Sequence, residues 1–392
     1  MRFCRVNPRV YIYPRTACIK CKNCIDLTDS ERIHTYSIET KSAQKESVLE
    51  TRVRAENLLS FFVKALCAVG VPDADAHFAA ETFVSEELRI GNAYGLLGFL
   101  LSVRRIRAGE ITASPKIQIM KEDWATALFD GGNGLGQLVS KRAMERAIFL
   151  AGRYGVGVAG VRGSHHFGAA FHYAEMATAH GMIGIASSVA NRNAIAPWGG
   201  LDKLIGNNPI AIAVPSGTGE PIVLDMASGV VAQRKIVARK INKQTIPLGW
   251  ATDSSGESTE DPNIALDGLL NPLGGHKGAG LGFMLGILCG ALTGAHFGKD
   301  VDNSNVGHLF IALRVGSFRD EKSFRQAVSG AVAHVRQSRK KSSVTRLPVP
   351  GEEGFRRMRE KKQYGIPVSP AFLGALRKAA EELGIGFLPK TQ

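Results

Sequence analysis

Aromatic residues are scarce in this 392-residue chain, at 7% of the total, and cysteine is rarer still at six residues. Cys4, Cys18, Cys21 and Cys24 crowd the beginning, and only Cys67 and Cys289 follow. Two lone cysteines in apolar helical contexts suit a reducing compartment rather than a disulfide framework. The Cys18-x-x-Cys21-x-x-Cys24 run lacks the further Cys-Pro that a bacterial-type iron–sulfur cluster requires, so no metal is expected. The N-terminus has scattered charges and no apolar core, unlike a signal peptide. The longest uncharged run, 278–297, contains six glycines and His296 and has no aromatic belt. It predicts a buried helix packed closely through its glycines rather than a membrane span. The expected location is cytoplasmic, with no membrane partner.

What is plentiful is glycine, 44 residues, and positive charge, 49 Lys and Arg against 35 Asp and Glu. The net +14 comes from two stretches: residues 1–55 carry 11 basic against 6 acidic residues, and 314–364 carry 14 against 5. No aromatic interleaving or nucleic-acid module accompanies them, so no nucleic-acid partner is expected. Solvated basic helix faces and attraction of an anionic substrate or cofactor account for the excess.

Residues 1–50 show neither helical nor strand period and are expected to be a disordered or artefactual extension. Leu58, Phe61, Phe62, Leu66 and Val69 then repeat at helical spacing until Gly70-Val-Pro72 stops them. Asp73 and Asp75 open a second helix, and a third is predicted over 96–108. Strand-like runs follow at 125–129, 157–161, 183–187, 210–214, 222–224 and 309–315, with helices at 137–151, 169–179 and 369–383. The alternation predicts an α/β (α+β) fold.

Val161-Arg-Gly-Ser-His-His-Phe-Gly168 joins a strand to a helix and sets two histidines among glycines. Histidine titrates nearest neutrality, so a general acid/base or a helix cap is expected here. Gly155-Val-Gly-Val-Ala-Gly160 matches the letters of a dinucleotide fingerprint, but a helix precedes it and a strand contains it, the reverse of the required order. Leu273-Gly-Gly-His-Lys-Gly-Ala-Gly280 opens the long apolar helix, where free N–H groups and Lys277 suit an anion. Asp130-Gly-Gly-Asn-Gly-Leu-Gly136 is predicted as a turn. Asp225, just after a strand-like run, could meet a ribose hydroxyl, orient a histidine or cap a helix.

In their order along the chain these segments resemble the malate/L-lactate dehydrogenase family that lacks a Rossmann fold. That family also holds ureidoglycolate, sulfolactate and diketogulonate oxidoreductases and cyclic-imine reductases. The markers are the 130–136 segment, Ser164-His-His-Phe-Gly168, Ala196-Pro-Trp-Gly-Gly200, Asn208-Pro209, Leu224-Asp-Met-Ala227, Pro272-Leu-Gly-Gly-His-Lys-Gly278 and Val349-Pro-Gly-Glu352. The resemblance implies a homodimer and a non-Rossmann NAD(P)-binding sheet domain over 119–284. It also implies a helical domain built from 51–118 and 285–392. NAD or NADP would exchange hydride with a small 2-hydroxy/2-keto acid. His166 matches the family's acid/base histidine. Ser164, His165, Asp225, Met226, Ala227, Ser228, His276, Lys277, Gly351 and Glu352 match nucleotide-contacting positions.

Where the family carries Ser-His-Gly, then Arg and Tyr, this chain has Ala93-Tyr94-Gly95, Gly98 and Ser102. Tyr94 thus stands at a family proton-donor position, with a hydroxyl that is a different acid from imidazole. Gly98 stands where a carboxylate-holding arginine is expected, and glycine supplies neither charge nor fork. Three outcomes follow: a substrate without that carboxylate; a substitute cation from Arg89, Arg104 or Arg162; or a catalytically silent nucleotide-binding dimer, with a cyclic-imine-2-carboxylate reductase as a further alternative activity.

Overall fold

A computed structural model describes residues 51–217, 219–302 and 304–387. The expectations for residues 1–50, including Cys18, Cys21 and Cys24, fall outside the described residues. In chain order the elements begin with β1 (Thr51–Val53), α1 (Ala55–Ala68), α2 (Asp73–Arg89), α3 (Tyr94–Arg107), β2 (Gln118–Asp123) and β3 (Thr126–Gly134). Then come α4 (Gly136–Tyr154), β4 (Val156–Ser164), α5 (Phe171–Thr178), β5 (Met182–Ser188), β6 (Asn193–Ile195), β7 (Ile205–Gly206), β8 (Pro209–Val214) and β9 (Ile222–Ala227). After these lie α6 (Gln233–Ile241), β10 (Ala251–Thr252), α7 (Pro262–Asp267), β11 (Leu269–Leu270) and α8 (His276–Cys289). The chain closes with β12 (Val306–Arg314), α9 (Glu321–Gln337), α10 (Glu352–Tyr364), β13 (Ile366–Val368) and α11 (Pro370–Leu383).

The first three helices bury one face each around a phenylalanine cluster. Phe62 and Phe99 stack at 3.8 Å, and Phe61 and Phe83 meet Phe99 edge-on at 6.0 and 6.1 Å. Helix α3 has no capping side chain of its own; Glu87 on α2 accepts from Leu96 N–H at 3.0 Å instead. A carboxylate there also complements the helix dipole. A Cβ on Gly95 would lie 2.0 Å from Phe83 O, so α3 must start directly against α2. The chain end returns to the same core: β13 pairs antiparallel with β1, and Phe372, Leu376 and Ala380 of α11 join it.

The main sheet has the order β2-β3-β4-β12-β5-β8-β9, with β3 and β4 parallel and every other pair antiparallel. It is open and mixed, an α/β (α+β) architecture. Helices α4 and α5 lie on it closely because β4 and β5 offer glycines. A Cβ at Gly157 would fall 2.0 Å from Ala147 O, and one at Gly184 2.1 Å from Ala174 O. Fully buried Ala143, Ala147, Ala151, Ala174 and Ala177 complete the small-residue interface.

Several expectations are corrected. The sheet does not end near 284: β12 is a central strand pairing with both β4 and β5, so 285–392 supplies the sheet's middle as well as helices. The 130–136 segment is the irregular end of β3, not a separate turn; its register shifts between Asp130 and Gly134, and Asp130 Oδ1 accepts from Gly132 N–H at 2.9 Å. Asp225 lies inside β9 rather than after it. Helix α8 is buried only on its glycine side, where Gly278, Gly282 and Gly286 abut Leu273, Ser228 and Phe297. Its other side leaves Phe283, Met284 and Leu288 exposed, as is Leu292 just beyond. Among the described residues no helix is long and apolar enough to cross a membrane.

Candidate active site

The loop after β4 carries the two histidines, and its buried residues are bolted to the sheet and to α4. Ser164 Oγ meets His308 Nε2 at 3.0 Å, and His308 Nδ1 meets Ser188 Oγ at 2.8 Å. The His308 ring lies parallel to Phe167 at 4.8 Å. Burial pushes its pKa down to about 3, so it anchors the loop as a neutral ring. His165 is also buried, with Nε2 2.7 Å from Asn133 Oδ1 and Nδ1 3.2 Å from the Arg105 guanidinium. A Cβ on Gly136 would fall 2.3 Å from His165 O, so the start of α4 abuts the loop.

That anchoring leaves His166 half-buried at the wall of a cleft of about 1020 Å³. Gly168 N–H donates to His166 Nδ1 at 2.9 Å, and Arg234 Nη2 lies 3.3 Å from the same nitrogen. The neutral ring therefore carries its proton on Nε2. Burial first, then the Arg234 cation, holds His166 well below the ordinary histidine range.

Arg234, near the start of α6, is the residue sequence reasoning missed. Its Nη1 donates to Tyr94 O at 3.3 Å, and its Cζ sits 4.8 Å from the centre of the Tyr94 ring. A Cβ built on Gly98 would lie 2.7 Å from Arg234 Nη1. The space vacated at Gly98 is thus filled by a guanidinium from another helix. The sequence carried one signal: an arginine shortly after the 224–227 marker. The three arginines proposed as substitutes are not there. Arg89 pairs with Glu175 at 2.6 Å and lies over Phe171 and Phe355, Arg162 lies 3.5 Å from Asp130, and Arg104 is exposed on α3.

Tyr94 lines the cleft, and burial pushes its phenol up to about 12, so it is a hydrogen-bond donor throughout the neutral range. Beneath lies Glu86, fully buried, whose Oε1 accepts from Ala169 N–H at 2.8 Å. Its Oε2 has no hydrogen-bond partner among the described residues. Burial pushes this carboxyl up to about 8 although Arg234 opposes the shift.

Of the other expected residues, Asp225, Met226, Ala227 and Gly351 line the cleft with His166 and Tyr94, and Lys235 and Arg357 add positive charge. Asp225 accepts from Phe171 N–H at 3.0 Å, and burial, with Glu175 adding to it, pushes its carboxyl up to about 6. The remaining residues do not line this cleft. Ser164 and His165 are its buried supports. Ser228 is buried, its Oγ 3.3 Å from Gly206 O. His276 and Lys277 are exposed at the start of α8. Glu352 is tied to Arg346 at 2.7 Å and to Val349 N–H at 3.0 Å.

A cleft carrying this histidine at its wall agrees with what known proteins show. The malate/L-lactate dehydrogenase family profile matches residues 53–377. The chain is 37% identical over 347 residues to a malate dehydrogenase of Pyrococcus abyssi, covering 85% of this chain and 95% of that one. It is 36% identical to an L-sulfolactate dehydrogenase of Methanocaldococcus jannaschii, covering 85% and 97%. The solved sulfolactate dehydrogenase from that organism superposes with a TM-score of 0.79 at 34% identity, covering 86% of this chain and 98% of that one. With the profile spanning most of the chain and these relatives matched along nearly their full length, the chain belongs to the malate/L-lactate dehydrogenase family.

Proposed function

We propose that the chain is an NAD(P)-dependent oxidoreductase that moves a hydride between nicotinamide and C2 of a small 2-hydroxy/2-keto acid. The observation that carries this reading is His166: one imidazole at a cleft wall, its Nδ1 held by Gly168 and Arg234, its Nε2 left for a ligand. The cleft, about 1020 Å³, is roomy enough for a dinucleotide and substrate. Lys235 and Arg357 supply charge suited to a diphosphate, and Asp225, Met226, Ala227 and Gly351 form the adjoining wall. The nicotinamide, when bound, takes or returns the hydride with its electron pair.

The protein's share is the hydroxyl proton and the orientation of the reacting carbon. In carbonyl reduction hydride adds to C2 while the carbonyl oxygen takes the proton of His166 Nε2–H, and solvent returns a proton to the ring; oxidation runs the reverse way. The resting ring, neutral with its proton on Nε2, donates to a carbonyl oxygen and polarises it. Tyr94, with its hydroxyl kept protonated, is a second donor at the same wall. His166→Ala is expected to abolish turnover of 2-keto acids with NADH or NADPH while leaving nucleotide binding intact. A variant with near-normal kcat overturns the reading.

The active form in this reading is a homodimer. Phe283, Met284, Leu288 and Leu292 form an exposed apolar stripe along and beyond α8. A second copy of the chain is the occupant that the family resemblance implies for such a face. Light scattering checks it: the wild type should have twice the chain mass, and Met284→Asp with Leu288→Asp should give monomers.

A further inference from the structure

We infer that Arg234 binds the carboxylate of the substrate, taking over from α6 the part that an arginine at position 98 would play from α3. The inference rests on the oxidoreductase reading above and names the residue that gives it an α-carboxylate substrate.

Three observations converge on Arg234. First, the guanidinium occupies the place of the missing side chain, with Nη1 2.7 Å and Cζ 3.4 Å from a Cβ built on Gly98. A side chain at position 98 and one at 234 compete for the same volume, so the site has room for a single arginine, reached from either helix. Second, Arg234 is half-buried, and among the described residues no carboxylate forms an ion pair with it. The other arginines considered for this part are engaged elsewhere, Arg89 with Glu175 and Arg162 with Asp130. A desolvated cation without a counter-charge is costly unless an anion completes it. Third, its present acceptors are weak ones, a carbonyl and a ring nitrogen both at 3.3 Å. A carboxylate would accept two short charge-assisted bonds instead.

The position selects the class of ligand. A carboxylate engaged by a guanidinium that touches His166 has its α-carbon beside the same imidazole, so the reacting C–O group is adjacent to the carboxylate. A cyclic imine or aldehyde lacking an α-carboxylate would leave Arg234 unpaired. A silent scaffold would have no use for an uncompensated cation beside a histidine.

Oxalate, a small α-dicarboxylate that cannot be reduced by hydride transfer here, is a suitable probe. Its binding to the enzyme saturated with NADH or NADPH is read by calorimetry, beside KM and kcat for pyruvate and oxaloacetate. Wild type should bind oxalate, and Arg234→Gln should weaken binding about 100-fold, with a matching rise in KM. Arg234→Lys should recover part of the loss, since it restores charge without the fork. Arg234→Gly combined with Gly98→Arg should restore oxalate binding, because it removes two of the three atoms nearest a Cβ at position 98, Nη1 at 2.7 Å and Cζ at 3.4 Å, and leaves Phe83 Cε1 at 3.3 Å to yield. Equal thermal melting of wild type and Arg234→Gln separates a lost contact from a lost fold. No oxalate binding by wild type, or unchanged affinity in Arg234→Gln, overturns the inference. Oxalate binding that depends on Arg234 without turnover of any 2-keto acid instead sinks the catalytic reading and leaves the anion site standing.

Discussion

Arg234 Nη2 lies 3.3 Å from His166 Nδ1, the nitrogen that also accepts from Gly168 N–H. A full cation and a fixed donor on one lone pair make the imidazolium unfavourable, and an anion bound at Arg234 offsets the cation's part of that effect. Substrate binding and the readiness of His166 to take a proton are thereby coupled.

The first prediction is a pH profile. Burial and Arg234 lower the folded-state pKa of His166, so the ring stays neutral as pH falls through 6.5 and charges only below that. The kcat/KM for 2-keto acid reduction should therefore be flat down to that point and rise only at more acid pH, where the imidazolium is the stronger proton donor. Arg234→Gln removes the cation and should move the acid limb to higher pH. An unmoved limb would show that Arg234 does not govern the ring.

Tyr94 offers two separable contributions, a hydroxyl and a ring under the guanidinium. Tyr94→Phe keeps the ring and should lower kcat while leaving KM near its wild-type value. Tyr94→Ala removes the platform and should raise KM about 3- to 10-fold besides, in keeping with a partly desolvated cation–π contact. Steady-state kinetics of the pair decides.

Glu86 makes stability depend on pH. Its pKa is raised from an ordinary carboxylate value to about 8, so the folded protein holds this proton while the unfolded chain has released it. Stability from this group is full below about pH 4.5 and is lost as pH rises toward 8. Glu86→Gln keeps an acceptor for Ala169 N–H and should flatten the denaturant-midpoint curve between pH 5 and 8. The gain at pH 8 should be on the order of a few kcal/mol.

His308→Ala should destabilise the protein by about 2–4 kcal/mol, because it takes away the ring's hydrogen bonds to the Ser164 and Ser188 hydroxyls and opens a void beside Phe167. Activity should fall further than stability explains, since the loop that fixes His166 loses its anchor. Comparing kcat well below the melting temperature checks this.

Much of the fold was legible in the residues. The apolar runs at 157–161, 183–187 and 210–214 became β4, β5 and β8 because period and flanking glycines are local properties. The place of β12 was not legible: which strands become neighbours is decided by long-range pairing, and a run near residue 310 looks alike at a sheet's edge or centre. Helix α8 misled for a related reason, since an apolar sequence does not say which side will find a partner within the same chain. At the site, the missing charge at Gly98 was plain from the sequence. Its replacement was not, because Arg234 reaches that space only through the packing of α6 beside α3.

The place of β12 also bears on how the chain is made. Emerging from the ribosome, β3, α4 and β4 can assemble as a local parallel unit, and β5, β8 and β9 as a meander. Neither has its inner neighbour until residues 306–314 have been synthesised. Until then β4 and β5 each present a bare row of backbone donors and acceptors, open to pairing with another nascent chain. Any product truncated before Val306 keeps both rows open, and is expected to aggregate rather than persist as a smaller folded enzyme.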